Sequence, residues 1–216
     1  PVVTNVAVTG TGLASEYLLA NLATWDFTGS DASRLTSTNV TTNVTASAIS
    51  QMEGGAISGT DVITLSAGFN RTNTPSRSWL FTLAPIATTK TFKATSLSFD
   101  SRVSSLNGPD RWELWGTMPS GGSNLWGSGD IDLSDPENPI GTNWNAYSTA
   151  LAMPAATTGT VTFELRAYVA DTNHLTSFSG TATWSVDNLI VSGYILGPAG
   201  GTQVTDHDLA QGTARF

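Results

Sequence analysis

The sequence predicts an all-β chain folded as an antiparallel β-sandwich, and three observations carry that expectation. Segments of strand character recur at short spacing between turn residues. Only 12% of the 216 residues are charged, while Thr, Ser, Gly and Asn abound, a composition that suits strands with hydroxyl-rich solvent faces. The stretch Thr181-Ala182-Thr183-Trp184-Ser185-Val186-Asp187-Asn188-Leu189-Ile190-Val191-Ser192-Gly193 alternates with the period of a half-buried strand. All-β units commonly run to about 200–250 residues as one domain, so a single large core is expected.

Taken in order, Val2–Thr9 alternates as a strand until Gly10-Thr11-Gly12 breaks it, and it stands apart from the rest of the chain. Tyr17–Phe27 reads as a strand entering a turn at Thr28-Gly29. Residues 29–48 are nearly all Ser, Thr, Asn, Asp and Val, the make-up of a long loop, a polar edge strand, or both. Strands then recur at Asp61–Ser66, Arg77–Leu83, Thr91–Asp100, Arg111–Thr117, Asn143–Ala150, Gly159–Ala170 and Gly180–Ser192. Turn signals such as Ala84-Pro85, Asn107-Gly108-Pro109 and Met153-Pro154 separate them, and antiparallel pairing in two stacked sheets is the economical arrangement. The expected organisation is a first strand within 1–12, a sandwich over 13–196 and a Gly-rich polar tail over 197–216.

Charge excludes several partners. The formal net charge is −8, the sequence pI is about 4.4, and Lys90 and Lys93 are the only lysines, so there is no basic stripe for nucleic acid or an anionic membrane. No apolar run approaches the roughly 20 residues that span a bilayer, and membrane insertion is not expected. Cysteine is absent, which is compatible with either redox compartment. The start at Pro1, without an initiator Met or an apolar segment, fits a processed mature form or an excised fragment, and a processed, secreted protein is the expectation.

Several segments in order resemble secreted bacterial jelly-roll proteins, many of which carry a sorting tail of the PEP-CTERM type. The matching pieces are Leu22-Ala23-Thr24-Trp25-Asp26-Phe27-Thr28-Gly29, Trp79-Leu80-Phe81-Thr82-Leu83-Ala84-Pro85, Leu97-Ser98-Phe99-Asp100-Ser101-Arg102, Gly108-Pro109-Asp110-Arg111-Trp112-Glu113-Leu114, Val161-Thr162-Phe163-Glu164-Leu165-Arg166-Ala167-Tyr168 and Val186-Asp187-Asn188-Leu189-Ile190-Val191. The resemblance implies a sandwich of jelly-roll type and an export route. The chain departs from that group by its extra first strand and by lacking the apolar sorting helix and basic terminus. The same first and last strands are similar to those of calcium-bearing carbohydrate-binding jelly rolls. There an acidic residue near the first strand and an Asp on the last meet at a structural Ca²⁺, which implies Asp26 and Asp187 as metal ligands here. Oxygen-only ligands suit Ca²⁺ better than zinc, and the plainer reading is a carboxylate that accepts backbone N–H bonds at the sheet edge.

Trp112, Trp115, Trp126 and Trp144 fall in a short Gly-rich region with Asn124, Asn143, Asn145 and Tyr147, residue types that stack on and hydrogen-bond sugars. Aromatics in a sandwich are more often core. Alternation puts Trp112 and Trp115 on opposite strand faces, and Trp126, between Leu125 and Gly127 in an expected loop, is the favoured ligand platform. The ligand-binding set is therefore Trp115, Trp126, Trp144, Asn124 and Asn143. The acidic run Asp130–Asn138 lacks EF-hand spacing and reads as a solvated loop.

No catalytic constellation is visible. His174 and His207 are far from any Gly-x-Ser-x-Gly elbow, and Glu113 and Glu164 each lie in an alternating strand, where a solvent-facing or salt-bridged role outweighs that of a glycosidase pair. The chain is not expected to be an enzyme. The sequons at Asn39, Asn43 and Asn70 speak for exposure only.

Two functions are expected. The first is an extracellular structural or adhesive subunit of a filament or matrix at the cell surface. In it, Val2, Val3, Val6 and Val8 would add a strand to a neighbouring copy or to another surface protein. The alternative is a calcium-stabilised carbohydrate-binding module that contacts polysaccharide through exposed tryptophans.

Overall fold

The computed structural model describes residues 18–29, 32–51, 61–66, 69, 78–104, 108–131, 144–169 and 182–196. Strand β1 is Leu18–Trp25, and a 3-10 turn at Ala32–Leu35 comes after it. Three short strands come next, β2 at Asn39–Val40, β3 at Val44–Ala46 and β4 at Ser50–Gln51. The remaining strands are β5 Ile63–Ser66, β6 Ser78–Pro85, β7 Thr91–Val103, β8 Arg111–Thr117, β9 Ser123–Asp130, β10 Asn145–Ala150, β11 Val161–Tyr168 and β12 Thr183–Leu196. Among the described residues no helix is long and apolar enough to cross a membrane.

The first sheet runs β10-β7-β12-β1-β2 with β5 also on β12, and the second runs β3-β6-β11-β8-β9 with β4 also on β6. All pairings are antiparallel. Numbered along the chain, the eight long strands fall in the orders first-eighth-third-sixth and second-seventh-fourth-fifth. That nesting of two Greek keys is the jelly roll.

Alternation explains the two layers. Along β7, Phe92, Ala94, Leu97, Phe99 and Val103 point inward, while along β11 Val161, Phe163, Leu165 and Ala167 do the same. Within the second sheet Phe81 stacks on its register partner Phe163 at 5.1 Å and 3°, while between the sheets Trp25 tilts onto Phe81 at 4.9 Å and Phe99 meets the edge of Trp112 at 5.2 Å. Trp25, Trp79, Trp112 and Trp184 are fully buried, and the Trp184 indole N–H donates to the Ser101 hydroxyl at 2.7 Å.

Two expectations about this region need correction. Leu125-Trp126-Gly127, expected in a loop, lie within β9, which pairs with β8 from Arg111 to Thr117 across a bulge. Trp126, expected to be an exposed platform, is only 3% exposed and packs edge-on against Phe163 at 5.6 Å. The reason lies across the bulge: a Cβ on Gly116 would stand 2.1 Å from the Trp126 ring, so the glycine makes the space that draws the indole inward.

Residues 29–48 combine the 3-10 turn with edge strands β2 and β3, as their polar composition allows. The first-strand residues Val2, Val3, Val6 and Val8, the tail over 197–216 with His207, and His174 lie outside the described residues. So do Asn70, Asn143 and most of the acidic run after Ile131.

Candidate functional site

The last strand changes partners midway. Its first half, Thr183–Val186, pairs with β5, while from Leu189 onward it pairs with β1, and its register against β7 shifts between Asp187 and Ile190. Asp187 and Asn188 occupy that changeover. Phe27, Asp61 and Asn188 are the non-glycine residues with positive φ among the described residues, at 52°, 56° and 49°, and all three belong to this junction. Asn and Asp tolerate the left-handed region; Phe27 is held there by complete burial.

Four carboxylates gather at the junction. Gly29 N–H donates to Asp61 Oδ1 at 2.7 Å and Asp61 N–H returns a bond to Gly29 O at 3.0 Å, which ties the exit of β1 to the entry of β5. Thr28 N–H donates to Asp26 Oδ1 at 3.1 Å, and Asn188 N–H donates to Asp187 Oδ1 at 2.8 Å. Asp100 stands opposite Asp187 in register and accepts a 2.8 Å bond from Asn188 Nδ2.

Burial raises the Asp187 carboxyl above its ordinary value. The Asn188 N–H opposes that rise, while the charges of Asp100, Asp26 and Asp61 add to it. Asp26 and Asp187, the two expected metal ligands, are thus electrostatic neighbours. The donors are all oxygen, which suits Ca²⁺, yet no three acidic or histidine side chains among the described residues converge as a ready metal cage.

Beside the junction lies a groove on the outer face of the first sheet. Across β10, β7 and β12 the outward residues form rows, Ala146 beside Asp100 and Asp187, then Ser148 beside Ser98 and Ile190. These small side chains leave a cleft of about 380 Å³, bordered also by Tyr147 and Asn188. One row further, just ahead of β10, Trp144 is partly exposed and carries the Arg102 guanidinium 4.7 Å from its ring centroid. Trp144 and Asp187, singled out separately in the sequence, therefore share one face.

The outer face of the second sheet holds Trp115. Its indole N–H donates to Glu113 Oε2 at 2.7 Å, and the Tyr168 hydroxyl donates to Glu113 Oε1 at 2.8 Å. Arg166 pairs with Glu164 at 2.7 Å and lies 4.6 Å from the Trp115 ring centroid. The Tyr168 phenol is pushed up to about 12, first by burial and then by its bond to Glu113. Glu164 therefore has the salt-bridged role expected of it, while Glu113 is held by an indole and a phenol. Asn124 is exposed on β9, opposite Gly116 in register and one position from the Trp115 row. Trp115 and Trp144 stand on opposite faces of the sandwich, so the expected set does not form one site.

Sequence reasoning missed Asp61, Asp100, Arg102 and Arg166 as site residues. The alternation of Phe99-Asp100-Ser101-Arg102 was enough to place Asp100 and Arg102 outward together. The approach of Asp61 depends on the partner change of β12 and has no local signal.

No family model matches the chain, and no curated protein does. Among solved structures it is similar to TmCBM27, a carbohydrate-binding module described for specific mannan recognition, with a TM-score of 0.40 and 13% identity over 83% of this chain and 99% of that one. It is also similar to CBM29_1, a family 29 carbohydrate-binding module from Piromyces equi, with a TM-score of 0.35 and 8% identity over 93% of this chain and 99% of that one. A third is TmCBM61, solved with β-1,4-galactotriose, with a TM-score of 0.31 and 9% identity over 72% of this chain and 89% of that one. At these distances no residue here takes a role from them.

Proposed function

We propose that this chain is a non-catalytic, extracellular carbohydrate-binding module that holds polysaccharide in the groove of the first sheet. The observation that carries the reading is the cleft of about 380 Å³ lined by Ala146, Ser98 and Ser148, with the partly exposed Trp144 ring, under Arg102, one row further on the same face. Its volume is within the range of about 300–1,000 Å³ usual for ligand sites. Apolar Ile190 and the indole offer contact to the C–H faces of sugar rings, while Asp100, Asn188 and the serine hydroxyls can exchange hydrogen bonds with sugar hydroxyls. The test is calorimetric titration against soluble mannan, glucan and galactan. Trp144→Ala should weaken binding about tenfold, which corresponds to about 1.4 kcal/mol. Retention of full affinity by that variant would move the site elsewhere.

Calcium belongs to the same proposal. Asp26 and Asp187, with Asp61 and Asp100 beside them, would hold Ca²⁺ together with backbone carbonyls, and the cation would offset both the burial that chiefly raises the Asp187 carboxyl and the neighbouring negative charges that add to it. Melting in millimolar Ca²⁺ against a chelator tests it: a higher Tm with Ca²⁺, lost in Asp187→Asn, is expected, and identical curves would remove calcium from the account.

A further inference from the structure

The groove leaves the other outer face of the sandwich unused. We propose that this face, around Trp115 on β8, is a second glycan-contacting surface for neutral polysaccharide, so that one molecule joins two chains. The inference rests on the carbohydrate-binding reading and goes beyond it in the number of sites and in the bridging that results.

Three observations carry it. Trp115 is partly exposed with a guanidinium 4.6 Å from its ring centroid, the construction found at Trp144, where the distance is 4.7 Å. Leu125, its register partner on β9, is 44% exposed, one of two large apolar side chains so open among the described residues, and it widens the apolar surface next to the indole. Glu164 is only 8% exposed although it points away from the core, and its Oε1 has no hydrogen-bond partner while Oε2 takes the Arg166 bond. A buried carboxylate oxygen without a donor is costly, and a sugar hydroxyl is a donor of the right size. The oxygen is enclosed, so a ligand reaches it as Arg166 turns off the Trp115 ring and a sugar ring takes the guanidinium's place.

Charge sets the ligand class. The long strands of the second sheet carry Arg111 and Arg166 against Glu113, Asp130 and Glu164, an excess of one carboxylate, with Arg111 on Asp130 at 2.6 Å and Arg166 on Glu164 at 2.7 Å. Uronate or sulfated chains meet repulsion there, while neutral chains rich in hydroxyls do not. The two surfaces point away from each other across a core about 10 Å thick, so a single straight chain cannot lie on both.

Calorimetry with hexasaccharides of β-1,4-mannan, β-1,4-glucan and β-1,4-galactan decides the matter, together with turbidity of the parent polysaccharides and with alginate as the anionic control. Two hexasaccharides per protein are expected, falling to one in Trp115→Ala and in Trp144→Ala alike, with turbidity lost in either variant and alginate ignored. Glu164→Gln should weaken the second site at least fivefold and leave the first unchanged. Leu125→Ser, on the exposed edge, gives an independent reading should Trp115→Ala melt early. A stoichiometry of one that only Trp144→Ala abolishes would overturn the second surface and spare the proposed function. No binding to any of the three neutral sugars would overturn both.

Discussion

The two outer faces of this sandwich are built on opposite principles. On the first sheet small residues, Ala146, Ser148 and Ser98, leave space, and the Asp100 carboxylate at its edge repels the neighbouring Asp187. On the second sheet long side chains fill the space and satisfy most of one another's bonds, with Glu113 held by Trp115 and Tyr168 and Arg166 clasped to Glu164. One fold therefore supplies a cleft that a ligand can enter and a flat network that a ligand must rearrange. Binding to the first should be fast, and binding to the second should carry the delay of moving Arg166.

The comparison breaks most severely if the core beneath one face is removed. Trp126→Ala should cost about 3–5 kcal/mol in urea unfolding, as large aromatic truncations do. It should loosen β9 and the Trp115 face while Trp144 fluorescence stays as it was. Equal disturbance of both faces would show that the layers are not independent.

Filling the groove is the next largest effect. Ser148→Trp on the exposed edge strand should abolish binding at the first face with a stability change within about 0.5 kcal/mol, the usual range for surface positions. Unaltered glycan affinity in a folded variant would mean that the cleft is not the site.

A sharper probe separates backbone from side chain at the changeover. Asn188→Ala and Asn188→Gly both lose the bond to Asp100, but only alanine pays for the left-handed backbone at φ 49°, and it should be less stable by about 1–2 kcal/mol. Equal melting temperatures would mean that the strand relaxes out of that conformation.

The pH dependence has a definite sign. The folded-state Asp187 carboxyl titrates above the unfolded value of about 4, so without cation the folded state binds the extra proton and stability falls as pH rises from about 4 through the folded value. Asp187→Asn should flatten that slope, measured by urea midpoints at low salt. The smallest effect belongs to the other face. Tyr168 should ionise near 12 in an ultraviolet titration, and its contribution, complete below the unfolded value of about 10, should fade between the two, moving to lower pH in Glu113→Gln.

The long strands were legible because their side chains alternate, as β7, β11 and β12 do over Thr91–Val103, Val161–Tyr168 and Thr183–Leu196. Strand β9 was not, because Ser123-Asn124-Leu125-Trp126-Gly127-Ser128-Gly129-Asp130 lacks β-branched residues and its glycines mark loops in isolation. Those glycines serve contacts made elsewhere: a Cβ on Gly129 would stand 2.8 Å from the Trp112 indole nitrogen, as one on Gly116 would crowd Trp126. Asp187 and Asn188 stood out because they interrupt an alternating strand. The company they keep came from segments far apart in sequence, Asp26, Asp61 and Asp100, which only the strand order brings together.

The neighbouring first and last strands also set how the molecule bears load. Leu18 faces Ile195 and Trp25 faces Leu189, so the start of β1 and the end of β12 lie at the same end of one antiparallel pair. A pull on those two ends would part β1 from β12 one rung at a time, beginning at Leu18, as a zipper opens. The carboxylate junction at Asp187 lies at the far end of that zipper, and a cation bound there would act as its stop.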